Sequence, residues 1–134
     1  MAKLTEVEGI GAVYAAKLKD AGIATTGALL KVGATPGGRK EIAEKAGISD
    51  KLVLEWINHV DLFRITGVGE EYADLLEEAG VDTVPELAQR NAENLYAKLQ
   101  QVNAEKNLVR RLPTQKDVVN WVAQAKELPR VITY

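Results

Sequence analysis

The sequence predicts an all-α fold in which two similar halves pack on a shared core. Apolar residues recur at helical spacing along most of the 134-residue chain, and no stretch alternates between apolar and polar residues as a strand would. The two halves also repeat one another, so one structural unit is expected to occur twice. Hydrophobic residues make up 46% of the chain, enough to fill the core of a single compact domain over residues 1–134.

The internal repeat is read directly from the sequence. Glu8 to Ile23 aligns without a gap with Thr66 to Val81, and Trp56 later matches Trp121. We therefore expect repeats over residues 1–61 and 62–127, with about seven extra residues in the second one and a tail over 128–134. The positions of the first repeat that recur identically in the second are Gly9, Gly11, Tyr14, Ala15, Leu18, Ala21 and Gly22.

In the first half, capping residues delimit the predicted helices. The apolar stripe that begins at Val13 predicts a helix that stops before Gly22, a residue suited to a left-handed C-terminal cap. Ser49 has the position expected of an N-cap. The helices predicted after the first one are Thr26–Val32, Pro36–Ala46 and Ser49–Asp61.

Similar signals delimit the helices of the second half. Pro85 suits a first helical turn, and Asn91 suits an N-cap. Thr114 and Asp117 have the spacing of a capping box. The predicted helices are Val84–Gln89, Asn91–Val102 and Thr114–Glu127, and the extra residues are expected between Val102 and Pro113.

Composition excludes several kinds of chemistry. The chain has no cysteine, one histidine and one serine, so it lacks the residues for a disulfide, a thiolate zinc site or a histidine metal cluster. We expect a protein that is not an enzyme and uses no cofactor or metal. Glu6 and Glu8 interrupt any secretory signal, and no apolar run is long enough for a membrane helix, so a cytoplasmic protein without membrane contact is expected.

A glycine hairpin in each half is the most informative motif. Gly9-Ile10-Gly11 and Gly67-Val68-Gly69 each join a short turn to a longer helix. Paired glycines allow positive φ and a close approach to a neighbour, while the residue between them can anchor the hairpin in the core. The first amides of the following helix lack intrahelical partners, so together with the helix dipole they can hold a phosphate. Such contacts do not read base sequence.

These hairpins resemble the helix-hairpin-helix motif, and their two copies resemble a tandem helix-hairpin-helix domain of SAM-like architecture. Nearly the whole chain, including GRKEIAEKAGIS and NLVRRLPTQKDVVNWVAQAKELP, also resembles an uncharacterised bacterial domain family with two such motifs. The resemblance implies two pseudo-symmetric halves. It further implies that hairpin amides contact phosphates and that hairpin carbonyls can hold a monovalent cation. The corresponding positions are Gly9, Ile10, Gly11 and Ala12, then Gly67, Val68, Gly69 and Glu70.

Local charge distinguishes the two hairpins. Glu70 and Glu71 follow the second one, and the segment from Glu70 to Glu93 holds eight acidic residues against Arg90 alone. This segment would repel a polyanion, so we interpret the second hairpin as structural. Ala12 and Val13 follow the first hairpin, and Lys17 and Lys19 lie on the helix after it, although Glu6 and Glu8 come just before the hairpin.

The sequence therefore predicts a non-enzymatic module that contacts DNA or RNA phosphates without sequence specificity. The expected binding residues are Gly9, Ile10, Gly11, Ala12, Lys17, Lys19, Arg39, Lys40, Arg110 and Arg111. The alternative is a module for protein interaction or self-association. In that alternative the acidic segment Glu70–Glu93 would meet a basic partner or the Lys98–Lys116 segment of another copy.

Overall fold

The computed structural model describes residues 3–7 and 9–134; the expectations that involve Glu8 lie outside these residues. Within them the chain forms eight α-helices and one short 3-10 helix, with no strand beyond an isolated bridge between Lys3 and Thr25. The prediction of an all-α fold is thus confirmed. The chain divides into two compact units, one reaching to Asp61 and including Val131–Tyr134, the other comprising Leu62–Arg130.

The first unit begins with the 3-10 helix Leu4–Glu6. Its α-helices are α1 (Ala12–Asp20), α2 (Thr26–Gly33), α3 (Pro36–Ala46) and α4 (Asp50–Leu62), of which the last runs one residue beyond Asp61.

Side-chain caps explain where three of these helices start. The hydroxyls of Thr25, Thr35 and Ser49 accept hydrogen bonds from first-turn amides of α2, α3 and α4, as expected of N-caps. The core of the unit contains Leu18, Leu29, Ile42 and Ile57, each at most 2% exposed.

The C-terminal residues are docked onto the first unit. Thr133 donates from its backbone N–H to the carbonyl of Ala34 over 2.8 Å, and the hydroxyl of Tyr134 donates to Oδ1 of Asn58 over 3.0 Å. Ile132, which precedes Thr133 and Tyr134, is buried. The predicted tail over residues 128–134 therefore includes a segment fixed by specific bonds.

The second unit comprises α5 (Glu70–Glu78), α6 (Val84–Ala88), α7 (Ala92–Lys106) and α8 (Gln115–Glu127). Helix α8 packs against α6 and α7 around a buried cluster that includes Leu76, Leu87, Leu99 and Trp121.

The caps predicted for the second unit are present. Asn91 caps α7, and Thr114 with Asp117 forms the capping box of α8. Helix α7 extends four residues beyond the predicted Val102. Asn103 then bonds both the N–H and the carbonyl of Val109, which holds the loop that follows.

None of the helices in the described part of the chain is long and apolar enough to cross a membrane.

Candidate anion-binding hairpins

The first hairpin is closed by local bonds and anchored by one side chain. Ile10 donates from its N–H to the carbonyl of Val7 over 3.0 Å, and its side chain is 3% exposed. Gly9 has φ +90°, whereas Gly11 is extended with φ −87°. A Cβ on Gly9 would lie 3.3 Å from Nε1 of Trp56, but one on Gly11 would meet no atom within 4 Å. Glycine is thus required by conformation at Gly9 and not at Gly11.

Helix α1 starts without a side-chain cap, because its N-cap is Gly11. Its first turn contains no acidic residue, and Ala12 and Val13 are exposed, Val13 to 69%. The start of α1 therefore presents backbone amides and the positive end of the helix dipole, with no carboxylate in its own first turn.

The predicted cations of α1 do not lie on one side of the helix. Lys17 is one turn beyond Val13, and its Nζ lies 5.7 Å from the centre of the Tyr14 ring. Lys19 lines a shallow depression of about 210 Å³ together with Lys3 and Ala16. Since residues two apart on a helix point in nearly opposite directions, only Lys17 shares the side of Val13.

Arg39 and Lys40 are neighbours with different surroundings. The guanidinium of Arg39 is buried and donates to the carbonyls of Gly33 and Thr133 over 2.8 and 2.7 Å. Arg39 therefore holds the C-terminal segment, while Lys40 is exposed on the surface of α3.

The second hairpin has the same local geometry as the first. Val68 donates to the carbonyl of Ile65 over 3.1 Å and is 5% exposed, and Gly67 has φ +97°. A Cβ on Gly67 would lie 3.2 Å from Nε1 of Trp121. Gly69 is the N-cap of α5, whose first turn contains Glu70 and Glu71. The amides at this helix start thus have carboxylates beside them.

Each hairpin rests on a tyrosine–tryptophan pair. The rings of Tyr14 and Trp56 have centroids 5.2 Å apart, as do those of Tyr72 and Trp121. Each pair lies within a single unit, Tyr14–Trp56 in the first and Tyr72–Trp121 in the second, which explains why a tyrosine and a tryptophan recur together in the repeat.

A groove of about 540 Å³ lies beside Gly67 in the second unit. Of the predicted binding residues it includes Arg111, but Arg110 does not line it. No local sequence pattern places Lys116 or Asn120 here, because it is the bonds between Gln124 of α8 and Thr66 that hold α8 beside the hairpin. The lining residues are Thr66, Gly67, Tyr72, Arg111, Lys116, Asp117, Asn120 and Trp121.

Three titratable groups of the second unit show how its charges are arranged. Burial, with Glu86 and Glu77 nearby, raises the pKa of Asp82. The ion pair with Glu78 raises the pKa of Lys106, so part of the acidic segment is paired within the unit. Hydrogen bonds from Thr114, with Arg111 and Lys116 nearby, lower the pKa of Asp117.

Together these features define a class: an all-α protein with two glycine turns, each leading into a helix whose N-cap has no side chain. The chain belongs to the family described as domain of unknown function DUF4332, whose model matches residues 8–128. The predicted resemblance to an uncharacterised domain family is thus confirmed as membership of this family. Comparison with curated proteins and with solved structures found no match.

Proposed function

We propose that the two glycine turns are helix-hairpin-helix motifs and that the first of them binds the phosphate backbone of a nucleic acid without sequence preference. The observation that supports this is the start of α1: a glycine N-cap, exposed Ala12 and Val13, and no acidic residue in the first turn. Backbone amides at such a helix start favour an oxyanion through hydrogen bonds and through the dipole.

Lys17 is the cation best suited to assist, because it is exposed one turn beyond Val13 on the same side of α1. Lys40, exposed on α3 of the same unit, is a further candidate. Lys19 faces the depression beside Lys3 and is expected to contribute less. We leave Arg39 out of the proposed interface, since its guanidinium is engaged by two carbonyls. Each lysine that neutralises a phosphate should release counterions, so affinity should fall steeply with salt.

The repeat itself suggests the test. Val13 aligns with Glu71 of the second hairpin, so Val13→Glu gives the first helix the carboxylate that the second already has. A carboxylate in the first turn stabilises a helix by roughly 0.3–1 kcal/mol, and the variant is therefore expected to fold. The same carboxylate would repel a phosphate, weakening binding about five- to tenfold.

Binding is to be measured by fluorescence anisotropy with a labelled 20-base-pair duplex over a series of salt concentrations. Val13→Gln, a neutral side chain of the same size as glutamate, is the matched control and should bind within about twofold of the parent chain. If the parent chain does not bind at low salt, or if the glutamate and glutamine variants bind equally, the first hairpin is not the phosphate site.

A second candidate function is association with a cationic protein surface through α5 and α6. It is favoured by the grouping of carboxylates around Asp82, whose pKa is raised by burial first and by Glu86 and Glu77 in addition, since a basic partner would relieve the repulsion among them. Such association would require no nucleic acid. Sedimentation of the chain alone across a salt series would test its self-associating form, in which the apparent mass should fall as salt is raised.

A further inference from the structure

We propose that the groove beside Gly67 binds the phosphate group of a phosphate ester. It is separate from the helix start considered above, because it lies on the Thr66 and Gly67 side of the second hairpin and Glu70 and Glu71 do not line it. Its volume of about 540 Å³ is within the range usual for small-molecule sites and exceeds what one anion would occupy. There is room for a group attached to the phosphate.

Two cations from different parts of the chain meet at this groove. Arg111 comes from the loop between α7 and α8, and Lys116 from the first turn of α8. The only acidic lining residue is Asp117, whose carboxylate accepts a hydrogen bond from the backbone N–H of Thr114 over 2.9 Å. Two cations against one carboxylate leave the lining with a net positive charge. A phosphate oxyanion suits both the guanidinium fork and the ammonium group.

The walls of the groove are fixed before any ligand arrives. The hydroxyl of Tyr72 donates to the backbone carbonyl of Arg111 over 2.9 Å, which holds the loop at the groove. Gln124 accepts from the N–H of Thr66 and donates to its carbonyl over 2.9 and 3.0 Å. The Nε2 of Gln124 also donates to Oδ1 of Asn120, so Nδ2 is the atom of Asn120 that can donate to a ligand. The backbone around the groove should therefore change little on binding, and the ordering cost should fall on the exposed side chains of Arg111 and Lys116.

The repeat shows which parts of the groove belong to the second half alone. Aligning Trp121 with Trp56 aligns Lys116 with Lys51 and Asn120 with Glu55. Arg111 lies in the segment that has no counterpart in the first half. The aromatic floor is thus shared by both repeats, whereas the arginine and the neutral amide are specific to the second. Glutamate at the position of Asn120 would oppose an anion, so the two halves have diverged in a way that favours phosphate in one of them.

The experiment is a titration of ¹⁵N-labelled full-length chain, followed by NMR, with inorganic phosphate, adenosine 5′-monophosphate, adenosine and a ten-residue thymidine oligonucleotide. We expect saturable shifts of the Gly67 amide and of the Trp121 indole N–H with the three phosphate-containing probes. Adenosine should produce none. Arg111→Gln should weaken the binding of adenosine monophosphate at least about fivefold.

Arg110→Gln is the matched control, because it removes the same positive charge from the neighbouring residue, which does not line the groove. It should change the affinity less than about twofold. Val13→Glu, which tests the first hairpin, should likewise leave this site unchanged, so the two proposals can fail separately. Tighter binding of the oligonucleotide would identify the source as a nucleic-acid backbone, and tighter binding of the monophosphate a free ester.

Three results would overturn the proposal: no saturable shift at Gly67 and Trp121, equal weakening by the two arginine variants, or binding of adenosine as tight as that of its monophosphate.

Discussion

The guanidinium of Arg39 donates a 2.7 Å hydrogen bond to the carbonyl of Thr133, a residue 94 positions away in the chain. The same guanidinium bonds the carbonyl of Gly33 and lies 5.6 Å from the centre of the Tyr134 ring. A residue whose charge suggested an exposed binding surface thus connects α3 to the end of the chain. Arginine suits this role, because its planar fork can serve two carbonyls at once.

Arg39→Met should lower the free energy of unfolding by about 2–4 kcal/mol, since it keeps the apolar stem but leaves two carbonyls without their donor. Urea unfolding followed by circular dichroism measures the change. Lys40→Met, at the exposed neighbouring position, should stay within about 0.5 kcal/mol. Removal of residues 131–134 should lower the free energy of unfolding less in the Arg39→Met variant than in the parent chain, because the bond from Arg39 to Thr133 is already lost in that variant. Full additivity of the two changes would contradict this role.

Gly9→Ala should destabilise the first unit by about 1–3 kcal/mol. The backbone at Gly9 has φ +90°, which costs a residue with a side chain roughly 1–2 kcal/mol, and the new Cβ would press on the indole of Trp56. Gly37→Ala provides the contrast, because Gly37 lies in α3 with no atom within 4 Å of a Cβ. The free energy of unfolding of that variant should rise by up to about 1 kcal/mol. Equal effects of the two substitutions in urea unfolding would contradict the interpretation.

Local signals explain which parts of the fold the sequence could predict. The bounds of α3 and the capping box of Thr114 and Asp117 follow from residues within one turn of each other, and both were predicted correctly. The extension of α7 was missed, because the loop after it is held by Asn103, whose side chain bonds Val109. No local sequence pattern predicts a bond of this kind.

The binding residues were harder to predict for the same reason. Charge alone grouped Arg110 with Arg111, but only Arg111 lines the groove beside Gly67. That placement depends on contacts such as the bond from Tyr72, 39 positions earlier in the chain. The glycine pairs were correctly singled out as turns, yet only the first glycine of each pair has positive φ.

Asp82→Asn should stabilise the second unit at neutral pH. Because burial and nearby carboxylates raise the pKa of Asp82 in the folded chain, ionisation of this group opposes folding above that pKa. The penalty disappears as pH falls below the ordinary aspartate pKa, where the group is protonated in both states. The gain at pH 7 should be under about 1 kcal/mol, since solvent screens a partly exposed carboxylate. Urea unfolding at pH 7 and pH 3 should show the gain only at the higher pH; an equal gain at both would exclude an electrostatic cause.

Gln124→Glu tests the bonds that fix the hairpin of the second unit. Glutamine both accepts from and donates to the backbone of Thr66, whereas an ionised glutamate can only accept. In the variant a carboxylate replaces the amide that donates to the carbonyl of Thr66 and to Oδ1 of Asn120. The free energy of unfolding should therefore fall by about 1–2 kcal/mol at pH 7. Protonation restores a donor, so the loss should shrink below pH 4. Gln101→Glu, at an exposed position of α7, should change stability by no more than about 0.5 kcal/mol at either pH. A loss that does not depend on pH would mean that Gln124 acts through packing and not through its donor.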